Sequence, residues 1–210
     1  MSPTSILLVG AGGHAAACVD VIETDGRYTV AGLIGSAAEV GTQVLGYPVI
    51  GTDDDLPQLL GRHPSALVAV GHLQTPDVRM RLFERLRGLG YELPVIVSPL
   101  AHVSKHATLG AGTIVMHDAI VNARAAVGRN CIINSQALVE HDVVIGDHCH
   151  LATAAIVNGG VHIGTGTFIG SNATVRHGVI VGERCVIGMG ELLLSNCESG
   201  TCLPTRARLR

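Results

Sequence analysis

Eleven histidines and six cysteines carry much of the chemistry open to this 210-residue chain. Imidazole is the side chain that takes and returns a proton near neutral pH without special tuning. His141 stands out, because Glu140 precedes it and Asp142 follows it, so a carboxylate is at hand to orient the ring. His150 follows shortly after. A base of this kind suits proton removal from an amine or hydroxyl that then acts as a nucleophile. A second element is Gly10-Ala11-Gly12-Gly13-His14, which follows an apolar run and opens a helical pattern. Backbone N–H groups at such a helix start bind anions. It is not a full G-x-G-x-x-G, since residue 15 is Ala, and no acidic residue ends the following strand, which argues against a dinucleotide dehydrogenase. The cysteines form no CxxC pair, and Cys197 and Cys202 lack the His/Cys set that zinc requires, so no metal is expected.

These groups need elements to hold them. Residues 1–94 alternate between strand and helix patterns: Ser5–Val9, a helix from Ala15 to Glu23, a strand over Tyr28–Ile34, a short strand ending at Val49-Ile50, a helix start at Thr52–Asp55 before Leu56–Leu60, a strand over Ala66–Val70, and a helix over Val78–Leu89. That order predicts a small parallel, Rossmann-like α/β sheet.

From Val97 the period changes to six. Aliphatic residues recur without a slip from Val97, Val103 and Leu109 through Val139 and Ile145 to Ile187 and Leu193. Further along each hexad stands a small residue, such as Ala107, Thr113, Cys131 or Ala155, and the position after the aliphatic is often Gly, as at Gly110, Gly128, Gly146, Gly164 and Gly182. An unbroken hexad period over this length predicts a hexapeptide parallel β-helix over residues 95–196, with 197–210 as a tail. Three hexads close one triangular coil, so every third hexad stacks on the same face, and Gly or Asn is expected to serve the corners. Cys131, Cys149, Cys185 and Cys197 share the fifth position of their hexads and read as small buried packing groups.

Composition agrees. Hydrophobic residues make up 47% of the chain but aromatics only 2%, and 27 positions are Gly, which suits a narrow aliphatic core. The formal charge of −3 and scarce aromatics do not suit a nucleic-acid binder. No apolar run is long enough for a membrane span, and no signal peptide is read at the N-terminus, so reduced cysteines in the cytoplasm are expected.

The combination of the Gly-rich opening ending in His14, the Val139-Glu140-His141-Asp142 element and His150, all on a hexapeptide β-helix, resembles the sugar acetyltransferases of sialic-acid and bacillosamine biosynthesis over nearly the whole chain. The resemblance implies a left-handed helix and a homotrimer that moves acetyl from acetyl-CoA to a nucleotide-linked sugar, often to a 4-amino group. It implies His141 as general base, Asp142 as its partner with Glu140 as the alternative, and His150 beside the acetyl carbonyl. By the same resemblance Gly159, Ser171 and Met189 contact CoA, and Gly12, Gly13, His14 and Gly71 contact the sugar nucleotide. Two departures stand out. Gly35 and Ser36 replace an acidic pair that contacts uracil in many relatives, which leaves room for another base and points to a GDP-linked sugar such as perosamine. The C-terminal end reads Cys202-Leu203-Pro204-Thr205-Arg206 in place of the usual Gly-x-Pro-Ala-Lys/Arg. A sugar O-acetyltransferase would use the same residues, and a non-catalytic solenoid would not need His141 or the nucleotide domain. A β-helical zinc hydratase needs a His-x4-His pair, which is absent. His102, His106, His117, His148, His162 and His177 read as surface or interface residues.

Overall fold

The computed structural model describes residues 4–204; Arg206 lies outside them. The first unit is a five-stranded sheet of β1 (Thr4–Val9), β2 (Tyr28–Ile34), β3 (Gln43–Val44), β4 (Tyr47–Gly51) and β5 (Ser65–Val68), in the order β3-β4-β2-β1-β5. β1 lies parallel to β2 and β5, and β2 to β4. Only β3 runs antiparallel, as the edge of a hairpin turned through Leu45 and Gly46, both left-handed with φ of 49° and 86°. Helices α1 (Gly13–Asp25), the short α2 (Leu56–Leu59) and α3 (Asp77–Leu89) complete the unit. Alternation along β1 feeds two cores, as expected of a strand buried on both sides. Ile6 and Leu8 pack with Cys18, Val19 and Ile22 of α1, while Leu7 and Val9 pack with Leu82, Phe83 and Leu86 of α3.

From Ile96 the chain winds into a triangular parallel β-helix of short rungs. Rungs on the first face run from Ile96–Val97 to Cys202–Leu203, on the second from His102–Val103 to Leu192–Leu193, and on the third from Thr108–Leu109 to Ile180–Val181. Successive rungs of a face pair in register one coil apart, as Ile132 with Ile114 and Ile133 with Val115. Backbone N–H groups donate to carbonyls of the next coil, as Ile114 N to Cys131 O at 3.0 Å and Met116 N to Ile133 O at 2.8 Å. The second residue of each rung and the small residue of each hexad line one continuous core that includes Val139, Ile145, Leu151, Ala155 and Val157. Each buried aliphatic side chain contributes about 1.5–3 kcal/mol. The small slot also donates: Thr113 Oγ1 gives a hydrogen bond to Gly128 O, and the thiols of Cys131 and Cys149 point to Gly146 O and Gly164 O, both at 3.2 Å. Outward residues Ile114 and Ile132 of the first face join the α1 core, fixing the two units together.

Three expectations need correction. The left-handed corner residue is not the one directly after the aliphatic but lies further along the hexad: Gly112, Asp118, Arg124, Asn130, Gln136, Asp142, His148, Ala154 and on to Gly190 all have positive φ, once in each hexad. The glycines after the aliphatic instead permit close stacking, since a Cβ at Gly110, Gly146 or Gly164 would lie 2.5–2.7 Å from the backbone of the next coil. Residues 197–203 are not separate from the helix. Val181 bridges to Cys197 and Val186 pairs with Cys202, so the β-helix continues into a last coil that is shorter than the others. His148 is buried beneath α3, edge-on to Phe83 and within 2.9 Å of the Asn130 amide nitrogen.

Candidate active site

Three adjoining cavities and one isolated corner hold the candidate residues. The first cavity, about 500 Å³, opens at the C-terminal ends of β1 and β2 and is lined by Gly10, Gly12, Gly35, Ser36, Glu39 and Arg81. Gly12 is the N-cap of α1 and supplies no side-chain cap, which leaves first-turn N–H groups free to receive an anion. Gly13 is the first residue of that helix. Glu39 accepts from both the backbone N–H and the hydroxyl of Ser36, at 2.8 and 2.7 Å, and this lowers its carboxyl pKa.

The second cavity, about 670 Å³, lies where the two units meet. His14, Gly71, His72, Asn134 and His150 line it. Helix α1 presents His14 in its first turn, the loop after β5 presents Gly71 and His72, and the first face of the β-helix presents His150. Burial pushes His14 and His72 down to about 3 and His150 down to about 4, and the charge of Arg79 acts in the same direction on all three. These rings are therefore neutral at pH 7. His150 Nδ1 donates to the His72 carbonyl at 2.8 Å, which leaves Nε2 unprotonated as an acceptor facing the Asn134 amide at 3.3 Å. Arg79 of α3 is fully buried and donates to Val68 O, Val70 O and Asn130 O at 2.7, 2.9 and 3.0 Å. It thereby fastens the strand end that leads to Gly71 onto the β-helix. The third cavity, about 650 Å³, shares Leu73 and Gln74 with the second and is lined by Phe168, Ser171, Gly188 and Met189.

His141 stands elsewhere. It follows the second-face rung Leu138–Val139 and precedes the third-face rung Val144–Ile145. That corner is opposite the first face, which carries His150. Its Nδ1 lies 2.7 Å from Asp142 Oδ2, while Glu140 accepts from the backbone N–H of His141 and from Asn122. The ring partner is thus Asp142. Arg124, one coil earlier, grips the same carboxylate with Nε–Oδ1 at 2.5 Å and Nη2–Oδ2 at 2.8 Å. That grip first, and then His141, holds the Asp142 carboxyl well below the usual carboxylate range. The ring is more than half exposed, and it lies over Gly159, where a Cβ would come within 2.7 Å of its Cε1.

A small α/β domain joined to a hexapeptide β-helix finds its counterpart among known proteins. Residues 5–86 match the family model described as the PglD N-terminal domain, and residues 160–194 the hexapeptide repeat of succinyl-transferase. PerB from Caulobacter crescentus, whose crystal structure holds CoA and GDP-perosamine, superposes with a TM-score of 0.88 at 33% identity, over 94% of this chain and 92% of that one. The chain belongs to the hexapeptide-repeat sugar N-acetyltransferase family. Its β-helix is accordingly left-handed. The acetyltransferase domain of PglB from Neisseria gonorrhoeae FA1090, in complex with acetyl coenzyme A, gives a TM-score of 0.88 at 28% identity, over 97% of each chain. WeeI from Acinetobacter baumannii AYE, at 21% identity over 96% of this chain and 97% of that one, shares the fold with a TM-score of 0.81. Comparison with curated protein sequences finds no match.

Within this family member, then, the expected site residues fall into groups. Gly12 lines the first cavity; His14, Gly71 and His150 share the second; Ser171 and Met189 share the third. His141, Asp142 and Gly159 cluster on the remote corner. His72, Arg79 and Arg124 join these groups although they stand in none of the motifs. Arg124 was detectable, since it stands one full coil before Asp142 and so stacks on it, whereas nothing in the helical pattern of α3 distinguishes a buried arginine. His117 forms a triad-like chain, with Ser98 Oγ at 2.6 Å and Asp20 at 2.9 Å. Ser98 is fully buried, so this chain ties α1 to the β-helix and presents no nucleophile.

Proposed function

We propose that this protein transfers the acetyl group of acetyl-CoA to the amino group, at C4, of a nucleotide-linked deoxyamino sugar of the GDP-perosamine type, with His141 as general base. The observation that carries this reading is the His141–Asp142 pair: with Nδ1 committed to the carboxylate, Nε2 is left to take the proton of the amine. The free amine attacks the thioester carbonyl, the tetrahedral adduct collapses, and the CoA thiolate departs and is reprotonated. No acyl-enzyme forms. His150 Nε2, being an acceptor, does not donate to the acetyl oxygen and serves to shape the cavity wall.

His141 and the His14–His150 cavity belong to opposite sides of one prism, so a working site needs a second copy. Apolar residues left outward on the second and third faces, among them Ile120, Val144, Ile180 and Leu192, flank the His141 corner and suit burial against neighbouring β-helices in a homotrimer. His141 of one subunit would then face the sugar cavity of the next, with CoA in the cavity of Ser171 and Met189 and close to Gly159. Support for guanine comes from the relative that binds GDP-perosamine and from the first cavity, where Gly35 and Ser36 stand beside Glu39.

The test is release of CoA when the protein meets acetyl-CoA with GDP-perosamine, with UDP- and dTDP-linked 4-amino sugars, and with hydroxylated sugar nucleotides. Amino sugars should be acetylated and hydroxyl analogues left largely untouched; the reverse would favour sugar O-acetylation. His141→Asn should lower kcat by about 10²–10⁴ with the assembly intact. Activity within threefold of wild type would remove His141 from the mechanism.

A further inference from the structure

We propose that Arg124 is a positioning residue for the general base, acting through Asp142. The inference rests on His141 being that base. Arg124 and Asp142 occupy equivalent corners one coil apart, both left-handed with φ of 61°, and Asp142 N donates to Ala123 O at 3.2 Å, so the two side chains leave the prism side by side. The guanidinium meets the carboxylate as a two-pronged fork, and one oxygen, Oδ2, serves both Arg124 Nη2 at 2.8 Å and His141 Nδ1 at 2.7 Å. A planar fork fixes the carboxylate plane as a single hydrogen bond cannot.

Two consequences follow from this arrangement. The first is geometric. Asp142 is only partly buried, and an unheld carboxylate in water samples several rotamers; the fork holds the one that keeps the Nδ1–H tautomer and aims Nε2 outward. The second is electrostatic. A carboxylate alone beside an imidazole favours the imidazolium, which cannot act as a base. Arg124 sets an opposite charge against that carboxylate, so Asp142 holds the ring as a member of an ion pair and not as a lone anion. The other titratable group beside the ring is Glu140, held by Asn122 and the His141 N–H; His177 lies two coils on in the same column, close to Gly160.

The experiment compares Arg124→Gln and Arg124→Lys with wild type in the assembled enzyme. Kinetics with acetyl-CoA and the amino-sugar nucleotide are measured over pH 5.5–9, and His141 is titrated by NMR. Arg124→Gln should lower kcat about tenfold, with KM for either substrate within twofold. It should also move the acid limb of kcat/KM, and the NMR titration of His141, upward by about 0.5–1 pH unit. Arg124→Lys keeps the charge and loses the fork, so kcat should fall while the limb stays in place. A wild-type kcat and an unmoved titration in Arg124→Gln would overturn the proposal. So would dissociation of the assembly in both variants, which would make Arg124 a subunit contact. The NMR readout does not depend on turnover. If His141→Asn keeps its activity the base assignment fails on its own, whatever the Arg124 variants do.

Discussion

Gly159→Ala separates the placing of His141, the proposed base, from the stability of the fold. The backbone at Gly159 is not left-handed, so alanine meets no conformational penalty there. Its Cβ, however, would stand 2.7 Å from His141 Cε1 and 2.8 Å from Nε2. Carbon atoms at rest sit about 3.5–4.0 Å apart, so the ring must retreat by about 0.8 Å or more. Because the obstacle is a half-exposed side chain, the ring yields and the coil does not. A shift of that size stretches the 2.7 Å bond from Nδ1 to Asp142 to the limit of hydrogen bonding. Misplacing a reacting group by about 1 Å costs roughly 10²-fold in rate. The expected result is a kcat lower by about 30–100-fold, with Tm within about 3 °C of wild type because Gly→Ala slightly stiffens the unfolded chain. Steady-state kinetics and differential scanning fluorimetry on the same preparation would measure both. A kcat within threefold of wild type would refute the reasoning. A loss confined to KM for acetyl-CoA would mean that Gly159 matters for the cofactor and not as the seat of the ring.

Two further outcomes follow from the same structure. Gly164→Ala places its Cβ 2.5 Å from Glu183 N and 2.6 Å from Gly182 C, backbone atoms that cannot swing aside, so Tm should fall by roughly 5–10 °C; an unchanged melting curve would contradict the stacking argument. Acid should destabilise the protein from about pH 6.5 downward. Folded His14, His72 and His150 resist protonation to about 3, 3 and 4, whereas the same residues in the unfolded chain take up protons near 6.5, so the unfolded state gains as pH falls. Each contributes up to about 1.4 kcal/mol per pH unit across that window, and a denaturation midpoint that stays flat from pH 7 to 5 would refute their neutral burial.

The β-helix was legible because each of its residues answers to one local rule repeated in every hexad. Inward Val139 and Ile145 and the small slot at Cys131 and Cys149 needed no tertiary knowledge. The corner was misplaced because two different demands fall in one hexad: a left-handed φ at residues such as Asp142, and close stacking at glycines such as Gly146. Glycine answers to both, and its presence alone does not say which. The hairpin of Gln43–Val44 with Tyr47–Gly51 escaped notice because so short a strand as Gln43–Val44 has no period to read. In the site, His14, Gly71 and His150 were found as residues and come together as a cavity. Nine residues are half a coil, so spacing already sets His141 opposite His150; that His14 and Gly71 gather on the His150 side could not be read without knowing which face the first unit covers. Arg79 escaped because its partners are carbonyl oxygens, which every residue offers.

The coil imposes two different length codes on the gene. Gaining or losing one hexad within the repeat preserves the alternation of inward and outward positions, so the core would still close. It would also turn everything downstream by one face, carrying His141 and its Asp142–Arg124 support to another corner of the prism. Only a change by a whole coil restores that orientation, and it does so one storey higher, out of level with the first unit anchored at Ile114 and Ile132. Folding therefore tolerates insertions that chemistry does not. The final coil already departs from the regular repeat, closing short of it where Val186 pairs with Cys202.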